Sequence, residues 1–141
     1  MKYETRPYHP RDLEGVTFRP EDEHEARFAG CLGTADYAHD CHGRGQPVRT
    51  AWGPEGLLGV FGVDGDTPWM ALSPYGLACG LAVVALGPSW IAPLLPRNAK
   101  TLVAVREYRQ HQFLIRMGFE PCGVVVLETD PSYHCILFRR P

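Results

Sequence analysis

The sequence predicts one domain, residues 1–141, of mixed α/β (α+β) class, with a mostly antiparallel central sheet flanked by helices. Gly supplies 15 and Pro 13 of the 141 residues, about 20% against a usual ~12%, which excludes a coiled coil or a bundle of long helices. Hydrophobic residues make up 45% and charged residues 21%, enough for a core and too little charge for disorder. Helical and strand patterns also alternate without a repeat or a linker, which is typical of one mixed sheet.

The N-terminal third predicts two short helices. Pro20 and the acidic residues after it suit the first turn of a helix, which is expected over residues 19–29 and ends at Gly30. A second helix is expected over residues 34–41, with Thr34 as its N-cap. Three antiparallel strands follow, because short apolar runs alternate with turn sequences. They are residues 48–52, 56–63 and 69–72.

The segment of residues 67–96 contains no charged side chain. Prolines divide it, and its longest Pro-free part, residues 75–87, is shorter than the ~20 residues that a membrane-spanning helix needs. We therefore predict no membrane span, but a buried helix over residues 75–86 and a second helical piece over residues 89–95.

The C-terminal part predicts a strand, a helix and two more strands. Residues 101–105 are a β-branched run, and residues 107–117 have the pattern of an amphipathic helix. The last strands are expected at residues 123–127 and 135–138, joined by a turn at residues 130–132.

The net charge and the cysteines limit the classes of function that the chain can have. Fourteen Lys and Arg stand against sixteen Asp and Glu, and no basic run exceeds Arg139 and Arg140, which argues against direct nucleic-acid binding. The N-terminus lacks the apolar run of a signal peptide, and the five cysteines are odd in number and irregularly spaced. We expect free thiols in a reducing compartment.

No other cluster predicts chemistry by itself. Cys31, His39, Cys41 and His42 match no zinc module, and a helix separates positions 39 and 41 by about 200 degrees, so we expect partly exposed helix residues and no metal site. Cys135 and the neighbouring histidine point to opposite faces of a strand, so a cysteine nucleophile is not expected there.

Two further groups of side chains each have two interpretations, and in both cases the one given first is favoured. Cys79 and the large aromatic residues are expected to fill the core, although the aromatic residues suit a ligand pocket too; they are Trp52, Phe61, Trp69, Tyr75 and Trp90. Four acidic residues are expected to be a solvated helix start, or else to face an Arg-rich partner; they are Glu21, Asp22, Glu23 and Glu25.

The order of elements, with residues 116–119 closing the last helix, resembles the GNAT superfamily of acyl-CoA-dependent N-acetyltransferases. More narrowly, four segments resemble the GNAT-like internal virion and morphogenesis proteins of short-tailed bacteriophages. They are residues 19–25, 59–63, 68–72 and 113–119. The resemblance covers roughly residues 17–139.

The resemblance locates where an active member holds coenzyme A. Such a member has an Arg/Gln-x-x-Gly-x-Gly/Ala loop before a helix, whose N–H groups bind the pyrophosphate. Here the matching residues 73–80 have Gly76 and Gly80 at another spacing and no Arg or Gln. Cations are absent from residues 51–96, so they would have to come from Arg97, Lys100 or Arg106.

The proton-transfer groups of active members are displaced as well. Their proton-donating Tyr matches Leu114, which has no proton to donate, and Tyr108 lies on a different turn. Their frequent Asn matches Glu107, and the only carboxylates near the central strands, Asp64 and Asp66, fall in a predicted hairpin turn.

The resemblance and the missing parts together predict a non-catalytic, GNAT-fold bacteriophage protein with no catalytic, cofactor or metal residues. We expect it to act through protein contacts at the portal or tail connector or as an internal virion component. It would be present in several copies, in the virion and in the host cytoplasm during assembly, with other virion proteins as partners. The uncharged residues 67–96 would supply part of the contact surface.

Two alternatives remain open. The chain is an acyl-CoA-dependent N-acetyltransferase with an atypical phosphate loop, in which acetyl-CoA binds at six consecutive residues. They are Tyr75, Gly76, Leu77, Ala78, Cys79 and Gly80. Otherwise it is a toxin or host-takeover effector that binds one host protein.

Overall fold

Two antiparallel sheets form the centre of the computed structural model, which describes residues 2–127 and 130–141. The strands are β1 (Glu4–Pro7), β2 (Val48–Gly53), β3 (Gly56–Asp64), β4 (Thr67–Leu72), β5 (Lys100–Ala104), β6 (Glu120–Leu127) and β7 (Asp130–Arg139). The helices are α1 (Pro20–Phe28), α2 (Thr34–Gly43), α3 (Pro74–Ala78), α4 (Gly80–Ile91) and α5 (Tyr108–Arg116). One sheet has the order β1-β2-β3-β4 and the other β5-β7-β6, so the predicted fold class is confirmed.

The first strand was not predicted. β1 pairs antiparallel with β2 at the edge of the first sheet, and most of its side chains are exposed, so the sequence carries no apolar alternation there. The guanidinium of Arg6 lies 4.5 Å from the centre of the Trp52 ring and covers it.

Three predicted boundaries are wrong for local reasons. The helix predicted over residues 75–86 is divided at Cys79, and α4 then continues through Pro88, so the second helical piece is the end of α4 and a 3₁₀ turn, Ala92–Leu94. Gly33 and not Thr34 is the N-cap of α2. Residues 130–132, predicted as a turn, belong to β7.

Helices cover the first sheet on both faces. On one face α2 buries Ala38 and Cys41 against Val60 of β3. On the other face α4 and α5 pack on a larger cluster that joins the two sheets. This cluster includes Leu58, Phe61, Val63, Ile91, Val103, Leu114, Met117, Phe119 and Phe138. A bulge in β3 opposite the Ala51/Trp52 step leaves Leu58 without a partner residue, and Leu58 packs in this second cluster.

A polar contact fixes α2 to the end of β3. Asp64 accepts a hydrogen bond from the Tyr37 hydroxyl (2.8 Å) and two from the Arg44 guanidinium (3.0 and 3.2 Å). These hydrogen bonds lower the pKa of Asp64, Arg44 contributing most. Burial raises the pKa of the adjacent Cys41 thiol to about 11, so it is a protonated core group at neutral pH. No helix in the described part of the chain is long and apolar enough to cross a membrane.

Candidate functional site

The two sheets meet at β4 and β5, each of which is the last strand of its sheet. Among the described residues, β4 pairs only with β3 and β5 only with β7. Their side chains nevertheless share one core, since Met70 and Val103 pack in the same cluster. A cavity of about 300 Å³ lies beside the starts of the strands, lined by Thr67 of β4, by Lys100, Thr101 and Leu102 of β5, and by Leu137 of β7. The molecule therefore has two neighbouring strand edges with unpaired backbone groups, which can bind an extended ligand.

The chain leaves β4 through a tightly capped helix start. The buried Ser73 hydroxyl donates to the carbonyl oxygens of Leu57 (2.6 Å) and Leu58 (3.1 Å), and its oxygen accepts from the N–H of Gly76 (3.0 Å). The Ser73 carbonyl accepts from the N–H of Leu77, and Pro74 has no N–H. The donors at this start are thus almost all used within the protein.

Gly76 is a packing residue. A Cβ atom at this position would overlap the carbonyl oxygen of Leu58, because α3 lies directly on β3. The glycine that the phosphate-loop alternative included therefore has a structural reason to be glycine, one that needs no ligand.

The start of α4 is open by contrast. Its N-cap, Cys79, makes no side-chain capping hydrogen bond, and the N–H groups of Gly80 and Leu81 have no acceptor among the described residues. A Cβ atom at Gly80 would meet nothing within 4 Å, and the Leu81 side chain is 93% exposed. The structure thus divides the predicted cofactor segment, residues 75–80, into a closed half at the start of α3 and an open half at the start of α4.

Tyr75 belongs to the closed half. Its hydroxyl accepts from the N–H of Glu55 (3.2 Å) and lies against Gly53, so it fastens α3 to the turn between β2 and β3. Its ring is partly buried and packs against the core cluster that joins the two sheets.

One carboxylate of α1 interacts electrostatically with a carboxylate near the end of β5, a pairing that no sequence motif predicts. Partial burial raises the pKa of Glu25 on α1, and the negative charges of Asp22 and Glu107 raise it further, against Arg19. Glu107 caps α5 immediately after β5, and its N–H bonds the carbonyl of Ala104. The two carboxyl groups come from positions 82 residues apart (107 minus 25), a distance over which no motif spacing is informative.

The residues that the resemblance brings into question as proton-transfer groups are not placed to transfer a proton in the gap between β4 and β5. Leu114 is 5% exposed in the core, and Asp64 is held by Tyr37 and Arg44. Tyr108 is 71% exposed and lies edge-on to His111, with ring centres 5.9 Å apart. The ring nitrogen of His111 is 2.9 Å from the Ala104 carbonyl oxygen, which ties α5 to the end of β5.

The remaining predicted groups lie elsewhere. Cys41 is fully buried, whereas His39 is exposed and His42 lies against the Tyr8 ring, so the expectation that all three are partly exposed is wrong for Cys41. In the described residues no three His, Cys, Asp or Glu side chains form a group that would hold a metal ion. All five cysteines are free.

The aromatic and acidic residues have mainly structural contacts. Phe61 is fully buried and stacks on Trp90 at 6.1 Å between ring centres, which agrees with a core role. In the acidic run, Asp22 pairs with Arg19, and Glu23 accepts from the N–H of Thr34 (3.3 Å) at the start of α2. The half-buried Glu23 therefore caps the start of α2 and is not simply a solvated residue of the helix start.

The strand order and helix positions define a GNAT-like fold. No protein-family model matches the sequence, and no curated protein matches it. Solved structures do match. The candidate acetyltransferase YncA from Salmonella typhimurium, solved with acetyl-CoA, is 10% identical with a TM-score of 0.62, over 99% of this chain and 93% of that one. An acetyltransferase of the GNAT family from Bacillus cereus is 12% identical with a TM-score of 0.59, over 97% and 95%.

A third similar structure is named for its substrate. The spermidine/spermine N-acetyltransferase SpeG from Vibrio cholerae is 16% identical with a TM-score of 0.54, over 98% of this chain and 91% of that one. At such identities the similarity shows the fold.

The expectation of a non-catalytic phage virion protein is wrong. The matching structures are described as acetyltransferases, and none of the comparisons supports a virion or connector role. The segments that suggested it have a simpler cause, since residues 59–63 and 68–72 are core strands and residues 113–119 close α5. The predicted partners, copy number and location are not tested by these comparisons.

Proposed function

We propose that the chain is an acyl-CoA-dependent N-acetyltransferase, with coenzyme A bound between β4 and β5. The observation that carries this proposal is the pair of neighbouring, unpaired strand edges in a GNAT-like fold. An extended chain that contains amide groups can pair with such an edge as an added strand does. The pantetheine arm of coenzyme A has this chemistry.

The open start of α4 suits the phosphates. The unpaired N–H groups of Gly80 and Leu81 lie at the positive end of a twelve-residue helix, where an anion is stabilised. Of the six residues of the phosphate-loop alternative, Tyr75 and Gly76 serve packing within the protein, so the proposed contacts are at Gly80 and its neighbours. No Lys or Arg lies within residues 51–96, so backbone donors carry most of the binding.

Acetyl-CoA would supply an acetyl group activated as a thioester. The amine of the acceptor forms the new C–N bond, the C–S bond breaks, and the sulfur leaves as a thiolate with the bonding electrons. The amine loses one proton, and Glu25 is the proposed acceptor, because its raised pKa makes it a stronger base than an ordinary glutamate. Thiols ionise near ~8.5, so a thiolate is a tolerable leaving group even where Leu114 replaces a proton donor.

Calorimetric titration with acetyl-CoA tests the proposal. We expect saturable binding, and release of coenzyme A when primary amines are added, followed with a thiol reagent. A flat titration would remove the proposal.

Glu25→Gln tests the base. We expect kcat to fall by ~10²-fold or more while the Kd for acetyl-CoA stays unchanged. The wild-type kcat/KM should increase with pH through a pKa above the ordinary 4.5, since only the ionised carboxylate accepts a proton, and this acid limb should disappear in the variant. Glu21→Gln, which removes a carboxylate from the first turn of the same helix, is the matched control. Equal losses in both variants would contradict a specific role for Glu25.

A further inference from the structure

Pro88 lies inside α4 and leaves one backbone carbonyl of the helix without its usual donor. In an α-helix the N–H of each residue donates to the carbonyl oxygen four residues earlier, and proline has no N–H. The carbonyl that loses its partner is therefore that of Val84. Arg116, the last residue of α5, supplies a donor, since its Nη1 lies 2.9 Å from the Val84 oxygen. Arg116 thus replaces the hydrogen bond that Pro88 removes, and this contact holds its guanidinium on α4.

Most of the hydrogen-bonding capacity of Arg116 is not used by this contact. A guanidinium has several N–H groups, and the Val84 carbonyl accepts from Nη1 alone. The side chain is exposed and makes no ion pair in the described part of the chain. The sequences of α4 and α5 contain no Asp or Glu, so neither helix supplies a carboxylate that would neutralise the charge. Arg116 is therefore a cation with free donors that is held at the surface of α4.

The position of this cation relates it to the open start of α4. Val84 follows Gly80 by four residues, which is about one turn of the helix and ~6 Å along its axis. The N–H groups of Gly80 and Leu81 are the proposed donors to the pyrophosphate of coenzyme A. Coenzyme A carries a further phosphate, on the 3′-hydroxyl of the ribose that follows the pyrophosphate. A cation one turn along the helix therefore suits a second phosphate of the same molecule. The sequence did not suggest Arg116, because 32 residues separate it from Val84.

We propose that Arg116 binds the 3′-phosphate of coenzyme A and so distinguishes coenzyme A from its 3′-dephospho form. This inference rests on the proposed function, because it uses the phosphate site at the start of α4. The guanidinium would donate charge-assisted hydrogen bonds to the phosphate oxygens while Nη1 keeps its contact with Val84. A purely structural role would need only an N–H donor for the Val84 carbonyl. The positive charge is therefore the property that the experiment has to isolate.

Calorimetric titration of the full chain with coenzyme A and with 3′-dephospho-coenzyme A tests the inference. The two ligands share the pantetheine arm and the pyrophosphate. We expect coenzyme A to bind about three- to tenfold more tightly, as is reasonable for a partly exposed charge pair. Arg116→Gln keeps an N–H donor for Val84 but removes the charge, so the two ligands should then bind equally, with the affinity for the dephospho form unchanged. Arg116→Lys should retain most of the preference.

The matched control is Arg27→Gln, which removes an exposed arginine from the last turn of α1. The preference for coenzyme A should remain in this variant. Pro88→Ala supplies a second test, because it restores an N–H at position 88 and frees the Val84 carbonyl from its dependence on Arg116. In this background Arg116→Gln should remove the preference as before, whereas its effect on thermal stability should be smaller than in the wild-type chain.

The outcomes separate this inference from the proposed function. Equal affinity of the wild-type chain for the two ligands would overturn the inference and leave the proposed function intact. A loss of affinity in Arg116→Gln that is the same for both ligands, or that disappears in the Pro88→Ala background, would show a role in the fold alone and would overturn it too. If neither ligand binds to the wild-type chain, the proposed function and the inference fail together.

Discussion

The N-terminal ends of α3 and α4 lie close together in the chain, but they differ in their first backbone N–H groups. Those of α3 are hydrogen-bonded within the described part of the chain, and those of α4 are not. At α3 the first position is Pro74, and the hydroxyl and carbonyl oxygens of Ser73 accept from the N–H groups of Gly76 and Leu77. At α4 the N-cap is Cys79, whose side chain caps no backbone N–H, and the first N–H groups stay open. A helix start binds an anion only with donors to spare, so the proposed phosphate site lies at the start of α4 and not at the start of α3.

Replacement of Gly76 and Gly80 by alanine should give the largest difference in stability between the two helix starts. Gly76→Ala would drive a Cβ atom into the Leu58 carbonyl oxygen, so we expect a loss of about 3 kcal/mol or more in the free energy of unfolding. Gly80→Ala meets open space and reduces the freedom of the unfolded chain, so stability should stay equal or increase by up to about 1 kcal/mol. Urea unfolding measures both.

Acetyl-CoA binding by the same two variants distinguishes a glycine at a ligand site from a glycine needed for packing. If acetyl-CoA binding fails in Gly76→Ala, the cause is the damaged fold, and only Gly80→Ala reports on the site. Two equally destabilised variants would contradict the difference between the helix starts.

The cap of α3 is expected to have the next largest effect. Ser73→Ala removes a buried hydroxyl that bonds Leu57, Leu58 and Gly76, so we expect a loss of about 1–2 kcal/mol. Ser89→Ala is the control, because the exposed Ser89 hydroxyl bonds only the Leu86 carbonyl within α4. Urea midpoints of the two variants that agree within error would show that the cap is not needed.

Much of the fold was predictable from local pattern. The strands β2 to β5 and the amphipathic helix α5 lie close to their predicted positions, because apolar alternation, turn residues and helix periodicity all act over a few residues. β1 was missed because its charged side chains face solvent, and the continuation of α4 through Pro88 was missed because proline in a helix interior is costly and depends on its surroundings.

Less of the site was predictable, since it depends on contacts between distant segments. The overlap of Gly76 with Leu58 and the charge of Glu107 on Glu25 join residues that no spacing relates. The spacing of Gly76 and Gly80 is visible in the sequence, but only the structure separates the closed helix start from the open one.

A charge introduced at Leu81 should have the smallest effects, and it should change stability and acetyl-CoA affinity in opposite directions. Leu81→Glu puts a carboxylate in the first turn of α4, so stability should increase by about 0.3–1 kcal/mol, while the affinity for acetyl-CoA should fall about two- to fivefold through repulsion of the phosphates. Leu81→Lys should do the reverse, and both effects on affinity should weaken with added salt. Because the side chain is exposed in either variant, packing changes little. Calorimetry and thermal unfolding together decide the outcome: if the two variants bind acetyl-CoA equally, the phosphates do not lie at the start of α4, even if the gap between β4 and β5 still holds the cofactor.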